Sequence, residues 1–446
     1  MLSPFARSPA RGAVLIIGLA VIATACVLAI AISQSAIFTN DKARSLAVAD
    51  ASAKSVATWY AQILNYDAYS NRAIAANEIM MAQAVTLVAW TQYVQRLSTN
   101  AGTVASVVPA LRPVAEMIRE VSTVSHQLAR AGAMTEVPLR SAYTRALQNS
   151  QQIMHAAATP FGAQALVNEV IWTADPRFFG RIIPSSDISA FSSFSKANSG
   201  ADRRELANLV RRAQDSFSQR RATDQRLYLM PTTGCIPTSI DRAFGKLIRR
   251  GGTWFTSDYR DIEAADTLSI HTWRRRSRWN PTCGSIGESI PLGWGASDAT
   301  SKRAGIREDP AGVSANGGAF SRAKSSLVSI PGYLGLSPTR ELSAALAQAR
   351  QNASVRVPVL VRLPADKVTQ LTASKKLLAD SSKPLAGQIW SLAVGETYFL
   401  RPVDTLSDPA TREFANLFSP FWGARLVGPT TQDRAIALAI SQSGVQ

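Results

Sequence analysis

The hydrophobic positions at the start of the chain form one long continuous pattern. Residues 12–40 carry no charge, and residues 12–32 are almost entirely apolar. Neither Gly nor Pro occurs from Leu19 to Ala101, and these two residues disfavour helix interiors most strongly. The pattern therefore predicts one very long helix, or two nearly collinear helices, whose first turns lie in a membrane.

The helical pattern continues after the apolar segment with coiled-coil spacing. Apolar and small residues recur at alternating steps of three and four at Leu46, Ala49, Ala53, Val56, Tyr60 and Ile63. A polar cluster then interrupts the apolar positions at Asn71, Arg72, Asn77 and Glu78, before they resume around Trp90. The cluster has two interpretations, a solvated face or a buried polar network that fixes the register between helices.

Further helices are expected in the middle of the chain. Apolar periodicity predicts them at residues 114–131, 138–158 and 160–172, with Pro138 and Pro160 near helix starts, where Pro is tolerated. A charged and exposed helix is expected at residues 202–221, which carry three Arg-Arg doublets.

After residue 222 the sequence pattern changes from helical periodicity to short, strand-like runs. Short runs bounded by Gly, Pro and Asn predict strands at 225–230, 252–256 and 267–273, and later alternation predicts strands at 355–363, 390–400 and 425–427. Residues 280–335 are rich in Gly and Ser and are expected to be loops, and a last helix is expected at 431–441. The predicted fold class is α+β: a transmembrane helix continuing into a long helical stalk, then helices and a distal body with mostly antiparallel strands.

Charges flank the apolar segment on one side only. Arg7 and Arg11 precede it, whereas the next positive charge is Lys42. The positive-inside rule then places residues 1–11 in the cytoplasm and everything after residue 33 outside it. Two alternatives are a cleaved signal peptide and a lipid on Cys26. The apolar run is longer than a signal h-region and continues past Cys26, so an uncleaved single span at residues 12–33 is the prediction.

Net charge and cysteine content narrow the class further. The chain has a formal charge of +17, which indicates anionic partners but does not choose among them. Cys235 and Cys283 both lie in turn-like, Gly/Pro/Thr-rich sequence, whereas Cys26 falls in the apolar segment. Two such cysteines do not make a zinc site, but they suit one disulfide in an oxidising compartment. A disulfide between Cys235 and Cys283 is therefore expected.

The search for catalytic chemistry gives no convincing set. The histidines His126, His155 and His271 are scattered, no Gly-rich phosphate loop occurs, and no metal or cofactor is expected. Ser-x-x-Lys occurs at residues 193–196 and 321–324 without the partner motifs of a serine acyl-transferase. Four arginines lie between Trp273 and Trp279. That run is interpreted as a hairpin flank with arginines stacked on tryptophan, or as a contact for anionic lipid or a partner protein, and not for nucleic acid, because the body is expected outside the cytoplasm.

Two stretches carry a resemblance to a known family. Residues 65–90 read NYDAYSNRAIAANEIMMAQAVTLVAW. This resembles the membrane-proximal signature of TadG-like Flp (Tad) pilus-assembly proteins. The stretches ETYFLRP at 396–402 and NLFSPFW at 416–422, with Ala424-Arg425-Leu426, are similar to the end of such proteins. Gly12 lacks the Glu that prepilin processing requires five residues later, because Ile17 stands there.

The resemblance implies a structural, non-enzymatic component of Flp pilus assembly. It implies a single-pass inner-membrane protein with a cytoplasmic N-terminus and a periplasmic body. The expected partners are other Tad/Flp pilus-assembly membrane proteins, with pilin as a further candidate. Asn71, Arg72, Asn77, Glu78 and Trp90 are then expected to contact a partner or to set helix register. The implied domains are a tail at 1–11, a span at 12–33, a helical stalk or bundle at 34–172 with a possible helix–helix oligomer, and a periplasmic α+β domain at 173–446.

Two other functions stay open at the level of sequence. A cell-envelope serine hydrolase acting on wall polymer would need a serine and a base in one cleft. An extracellular adhesion or binding module needs no catalytic set.

Overall fold

The structure is a computed structural model. It describes residues 11–105, 112–184, 191, 195–197, 201–227, 234–300, 304–342, 353–369, 387–400 and 415–443. In these ranges the α-helices are α1 Arg11–Ala105, α2 Arg112–Ala157, α3 Pro160–Ala174, α4 Ala201–Ala213, α5 Gly317–Ser325 and α6 Thr431–Ser443. Short 3-10 helices lie at Ile240–Ala243 and Val313–Ala315.

The strands of the described ranges follow in chain order. They are β1 Phe179–Ile182, β2 Ser195–Ala197, β3 Arg221–Leu227, β4 Gly245–Phe255, β5 Ile262–Arg275, β6 Cys283–Thr300, β7 Val328–Pro331, β8 Arg340–Leu342, β9 Ser354–Leu363, β10 Ile389–Phe399 and β11 Trp422–Val427. The fold is α+β with a long N-terminal apolar helix, which confirms the predicted fold class.

The chain forms two compact units that alternate along the sequence. Unit 1 contains residues 1–66, 153–196 and 342–446, and unit 2 contains residues 67–152 and 197–341. This division differs from the linear stalk and distal domain expected from sequence. It arises because α1 and α2 each supply core residues to sheets made of strands far away in the chain.

In unit 1, the first part of α1 packs on an antiparallel sheet. The strand order is β1-β9-β10-β11, and every neighbouring pair is antiparallel. The alternation of β10 sorts its side chains by face. Ser391, Ala393 and Thr397 face α1, whereas Trp390 and Leu392 pack beside α6.

Small residues bring α1 and β10 into close contact. The Thr397 hydroxyl donates a 2.7 Å hydrogen bond to the carbonyl of Ala57. At Gly395 a Cβ atom would lie 2.1 Å from the carbonyl oxygen of Ala53. The run of small residues that the sequence placed on this helix is therefore the contact surface for a sheet.

Unit 2 repeats this arrangement with a mixed sheet. The strand order is β3-β4-β5-β6-β7, in which only the β6–β7 pair is parallel. One face packs on the later part of α1 and on α2 through Val85, Ala89 and Val137, and the other face packs on α5. Gly295 meets α1 closely, because a Cβ atom there would lie 2.1 Å from the carbonyl oxygen of Ala89.

The expectation of loops across residues 280–335 is wrong. These residues contain β6, α5 and β7. Their Gly and Ser content resembles that of a loop, but Gly293 and Gly295 are the positions over which Tyr93 and Ala89 of α1 pack. Strand propensity mainly reflects how side chains pack, so small residues weaken the strand signal even where they are required.

Two helix boundaries also differ from the expectation. Pro138 lies inside α2 instead of near a helix start. The helix continues through it because Ala133, Val137 and Ser141 on either side are buried. The charged helix ends at Ala213, before the predicted residue 221. There the Asp215 carboxylate accepts a 2.8 Å hydrogen bond from the Ser218 N–H and starts a turn.

Candidate functional site

The start of α1 has the character of a membrane span. It is the one helix in the described part of the chain that is long and apolar enough to cross a membrane, and none of its most apolar window is buried. The side chains of Leu15, Ile22 and Leu28 are all more than 60% exposed. From Val48 to Leu64 the same helix contributes to the core of unit 1.

Asn71 is the first residue of the polar cluster, and it is fully buried in unit 2. Its amide nitrogen donates to the Arg340 carbonyl at 2.8 Å, and its amide oxygen accepts from the Arg340 N–H at 3.1 Å. Gln151 of α2 donates to the same oxygen at 3.1 Å. The side chain therefore pairs with the backbone of β8 as another strand would, and it joins α1 to α2.

Glu78 is likewise fully buried in unit 2. It accepts hydrogen bonds from the Tyr333 hydroxyl at 2.9 Å and from the Ser337 N–H at 3.1 Å. Burial raises the pKa of the Glu78 carboxyl to about 7, although the hydrogen bonds from Ser337 and Tyr333 act in the opposite direction. Burial therefore favours the protonated form of this carboxyl more than in a solvated glutamate.

The other residues predicted to contact a partner, Asn77, Arg72 and Trp90, differ in how deeply they are buried. Asn77 is buried and accepts a 3.0 Å hydrogen bond from Arg140. Arg72 is exposed, and Trp90 is half-buried with its ring edge-on to Phe217. Asn71, Asn77 and Glu78 are thus buried within unit 2, and each hydrogen-bonds to other elements of that unit. A role in setting helix register and contact with a partner stay predictions.

The two stretches that carry the family resemblance meet in unit 1. Asn65 donates to the Trp422 carbonyl at 2.9 Å and accepts from the Trp422 N–H at 3.0 Å. Glu396 pairs with Arg425 across β10 and β11 at 2.7 Å. Asn65 thus pairs with a strand backbone in unit 1 as Asn71 does in unit 2, so these two asparagines of the resembling stretch hold helix α1 against strands.

The remaining candidates for chemistry have structural contacts. His126 is bonded to Thr91, His271 to Asn316, and His155 stacks on Phe191. The Ser321 hydroxyl donates to the Gly317 carbonyl, and Lys324 lies over the Phe320 ring. Ser193 lies outside the described residues. Among the residues that are described, no group of three or more His, Cys, Asp or Glu side chains could hold a metal ion.

The basic run between Trp273 and Trp279 lies at the end of β5 and in the turn to β6. Arg242 stacks on the half-buried Trp273 ring, whereas Trp279 is 91% exposed. The run therefore occupies a hairpin tip.

The predicted disulfide between Cys235 and Cys283 is confirmed. It closes a loop of 48 residues at the start of β6, where the Cys283 N–H also donates to the Ile236 carbonyl at 2.9 Å. The double substitution Cys235→Ser with Cys283→Ser is expected to lower the unfolding free energy of unit 2 by about 4 kcal/mol in the chain-entropy model. Urea denaturation of the full-length protein in detergent measures this, and a loss below about 1 kcal/mol would contradict it.

An apolar seam on α2 is a feature that the sequence reasoning missed. The side chains of Val114, Met117, Val121, Val124 and Leu128 follow steps of three and four, and each is between 48% and 68% exposed. The opposite side of α2 carries the buried residues. Beside this seam lies a groove of about 350 Å³ whose wall includes Trp90. The heptad spacing was readable in the sequence, but which side of the helix packs inward was not.

Comparison with models of protein families, with curated proteins and with solved structures finds no match to this chain.

Proposed function

We propose that this chain is a structural component of Flp-type (Tad) pilus assembly, anchored in the inner membrane by one span, with a periplasmic body that docks other pilus-assembly subunits. The observation that carries the proposal is the continuity of α1. One uninterrupted helix of 95 residues contains the candidate membrane span and core residues of both units. The same helix thus supplies the candidate span and core residues of each unit.

The α2 seam supports a docking role. A coiled-coil stripe of apolar side chains is stable in water when another helix covers it. The occupant we propose is a helix of another membrane-anchored pilus-assembly protein. Trp90, expected from the family pattern to contact a partner, borders the same surface.

Placing charge on the seam is expected to separate binding from folding. The double substitution Met117→Asp with Val121→Asp should lower recovery of pilus-assembly partners from membranes at least tenfold, because a carboxylate in a helix–helix seam loses its water. The melting temperature should stay within about 2 °C, since both side chains are more than half exposed. The matched control is Gln127→Asp with Gln152→Asp, which places two carboxylates at exposed positions on a different face of α2 from the seam. Equal recovery with both double variants would contradict docking at the seam.

Deletion of the gene tests the proposed function as a whole. We expect the bacterium that carries this chain to lose Flp pili, measured by electron microscopy and by sheared pilin, and to regain them with the full chain. Normal pili in the deletion strain would refute the assignment.

A further inference from the structure

A cleft in unit 2 lies beside the end of β4 and against α4. Its volume is about 790 Å³. Its described walls include Arg204, Arg211 and Arg212 of α4, and Arg220 just before β3. All four arginines are exposed.

The charge of the cleft is strongly one-sided. Among its described lining residues the carboxylate is that of Glu308, which accepts a 2.7 Å hydrogen bond from the Ser257 N–H. The ion pairs between described residues do not include any of the four arginines. Guanidinium groups in this number bind carboxylates or phosphates, so the cleft suits an anionic occupant.

One open backbone position on the edge of β4 forms part of the same cleft. β3 pairs with β4 as far as Gly251, and beyond it the Thr253 N–H donates to the Ser218 carbonyl at 3.1 Å, while β4 continues to Phe255 against β5. The hydrogen bond from the Thr256 N–H to the Asp261 carbonyl shows that these two residues form a hydrogen-bonded pair, so the neighbouring Phe255 and Ile262 form a non-hydrogen-bonded pair. Phe255 therefore turns its N–H and C=O away from β5, toward the side where β3 has ended. An extended peptide can pair with the backbone of Phe255, which lies between two N–H groups that Ser218 and Glu308 already occupy.

Gln214 favours a peptide over a simple anion. It lines the cleft and is only 5% exposed, yet its amide oxygen has no hydrogen-bond partner among the described residues. A buried carbonyl oxygen needs a donor. A peptide supplies backbone N–H groups as well as carboxylates, whereas a phosphate ion at neutral pH is mainly an acceptor.

The rim of the cleft holds a tyrosine in a strained backbone conformation. Tyr259, in the turn between β4 and β5, has a φ of 57°. This left-handed region favours Gly, and a bulky residue is uncommon there. Strain of this kind is found at binding sites, where the side chain has a use. The ring of Tyr259 adds an apolar surface to a basic cleft.

We propose that this cleft binds an extended acidic peptide segment of a partner protein, which pairs with the backbone of Phe255 and places its carboxylates against the arginines. Alternate side chains of an extended strand point to the same face, so every second residue of the ligand can meet a guanidinium. This proposal is independent of the proposed role in pilus assembly, because the cleft and its arginines are the same whatever the function of the chain.

The test uses full-length protein in detergent and a fluorescein-labelled peptide of four Val-Glu repeats, with anisotropy as the readout. Saturable binding is expected, and a Val-Lys peptide should not bind. A Val-Glu peptide N-methylated at every second residue keeps its charge but cannot pair along one edge, so it should bind at least tenfold more weakly. Equal affinity of the methylated peptide, or no saturable binding of the parent, would overturn the proposal.

Substitutions locate the binding on the protein. The double substitution Arg212→Ala with Arg220→Ala should weaken binding at least tenfold. Arg276→Ala with Arg278→Ala removes the same charge from the β5–β6 hairpin tip, and its affinity should stay within twofold of wild type. Unchanged melting temperatures of both variants keep loss of binding distinct from loss of fold. Equal weakening by the two pairs, or displacement of the peptide by inorganic tripolyphosphate at equal charge concentration, would assign the effect to unspecific anion binding and refute the peptide site.

Discussion

We expect Gly395→Ala to destabilise unit 1 by about 3 kcal/mol or more, a large part of the stability of a typical domain. The new methyl group would lie 2.1 Å from the carbonyl oxygen of Ala53 and 2.7 Å from its carbonyl carbon. Both atoms belong to helix backbone, so no side-chain rotation relieves the overlap. The helix must move away from the sheet, which also weakens the hydrogen bond from Thr397 to the Ala57 carbonyl.

Hydrogen–deuterium exchange of the full-length protein in detergent measures this change separately in each unit. Peptides from β9 and β10 should exchange faster in the variant, while peptides from β5 and β6 of unit 2 serve as an internal reference. Gly387→Ala is the matched control, because nothing lies within 4 Å of a Cβ atom at Gly387. Wild-type protection of β10 in the Gly395 variant would show that helix and sheet are not in close contact.

The second large effect is a pH dependence that comes from Glu78. Its pKa is raised from an ordinary value of 4.5 to about 7 in the folded chain, because burial disfavours the charged form. The folded state therefore binds a proton that the unfolded state has already released over that interval. Stability from this group is fully present below the ordinary pKa, falls as the pH rises toward 7 and levels off above it. A shift of this size corresponds to roughly 3 kcal/mol.

Glu78→Gln tests the sign as well as the size. Glutamine does not ionise, so the variant should lose this pH dependence and be more stable than wild type at pH 8 by up to about 3 kcal/mol. Urea denaturation at pH 5 and pH 8 for both proteins isolates the contribution, because all other groups are shared. Glu116→Gln, at an exposed position of α2, is the control and should follow wild type at both pH values. If wild type and Glu78→Gln change in parallel with pH, Glu78 is not the group responsible.

The long helix and the late strands were predictable because local pattern determines them. The absence of Gly and Pro over residues 19–101 predicts α1, and the alternation at 355–363 and 390–400 predicts β9 and β10 within about one residue. The disulfide followed from compartment and turn chemistry. Each of these features can be predicted without knowing which distant segment of the chain packs against it.

The remainder depends on long-range packing that a single sequence does not encode locally. β6 was missed because its glycines serve contact with α1, and without that partner they look like loop residues. Asn71 and Glu78 could be assigned either to a solvated face or to a buried network until Arg340, Tyr333 and Ser337 were placed beside them. The arginine doublets of α4 were visible in the sequence, but their position beside the open backbone position of β4 was not.

Site-specific photo-crosslinking at Val121 tests the proposed function most directly. A benzophenone side chain there lies on the α2 seam, and the full-length protein is irradiated in the membranes of its own cells before mass spectrometry of the adducts. Adducts with other membrane-anchored Flp pilus-assembly proteins are predicted, with little reaction from the same probe at Gln152, an exposed position on a different face of α2. Adducts only with proteins unrelated to pilus assembly, or equal yields at Val121 and Gln152, would contradict a docking role in pilus assembly.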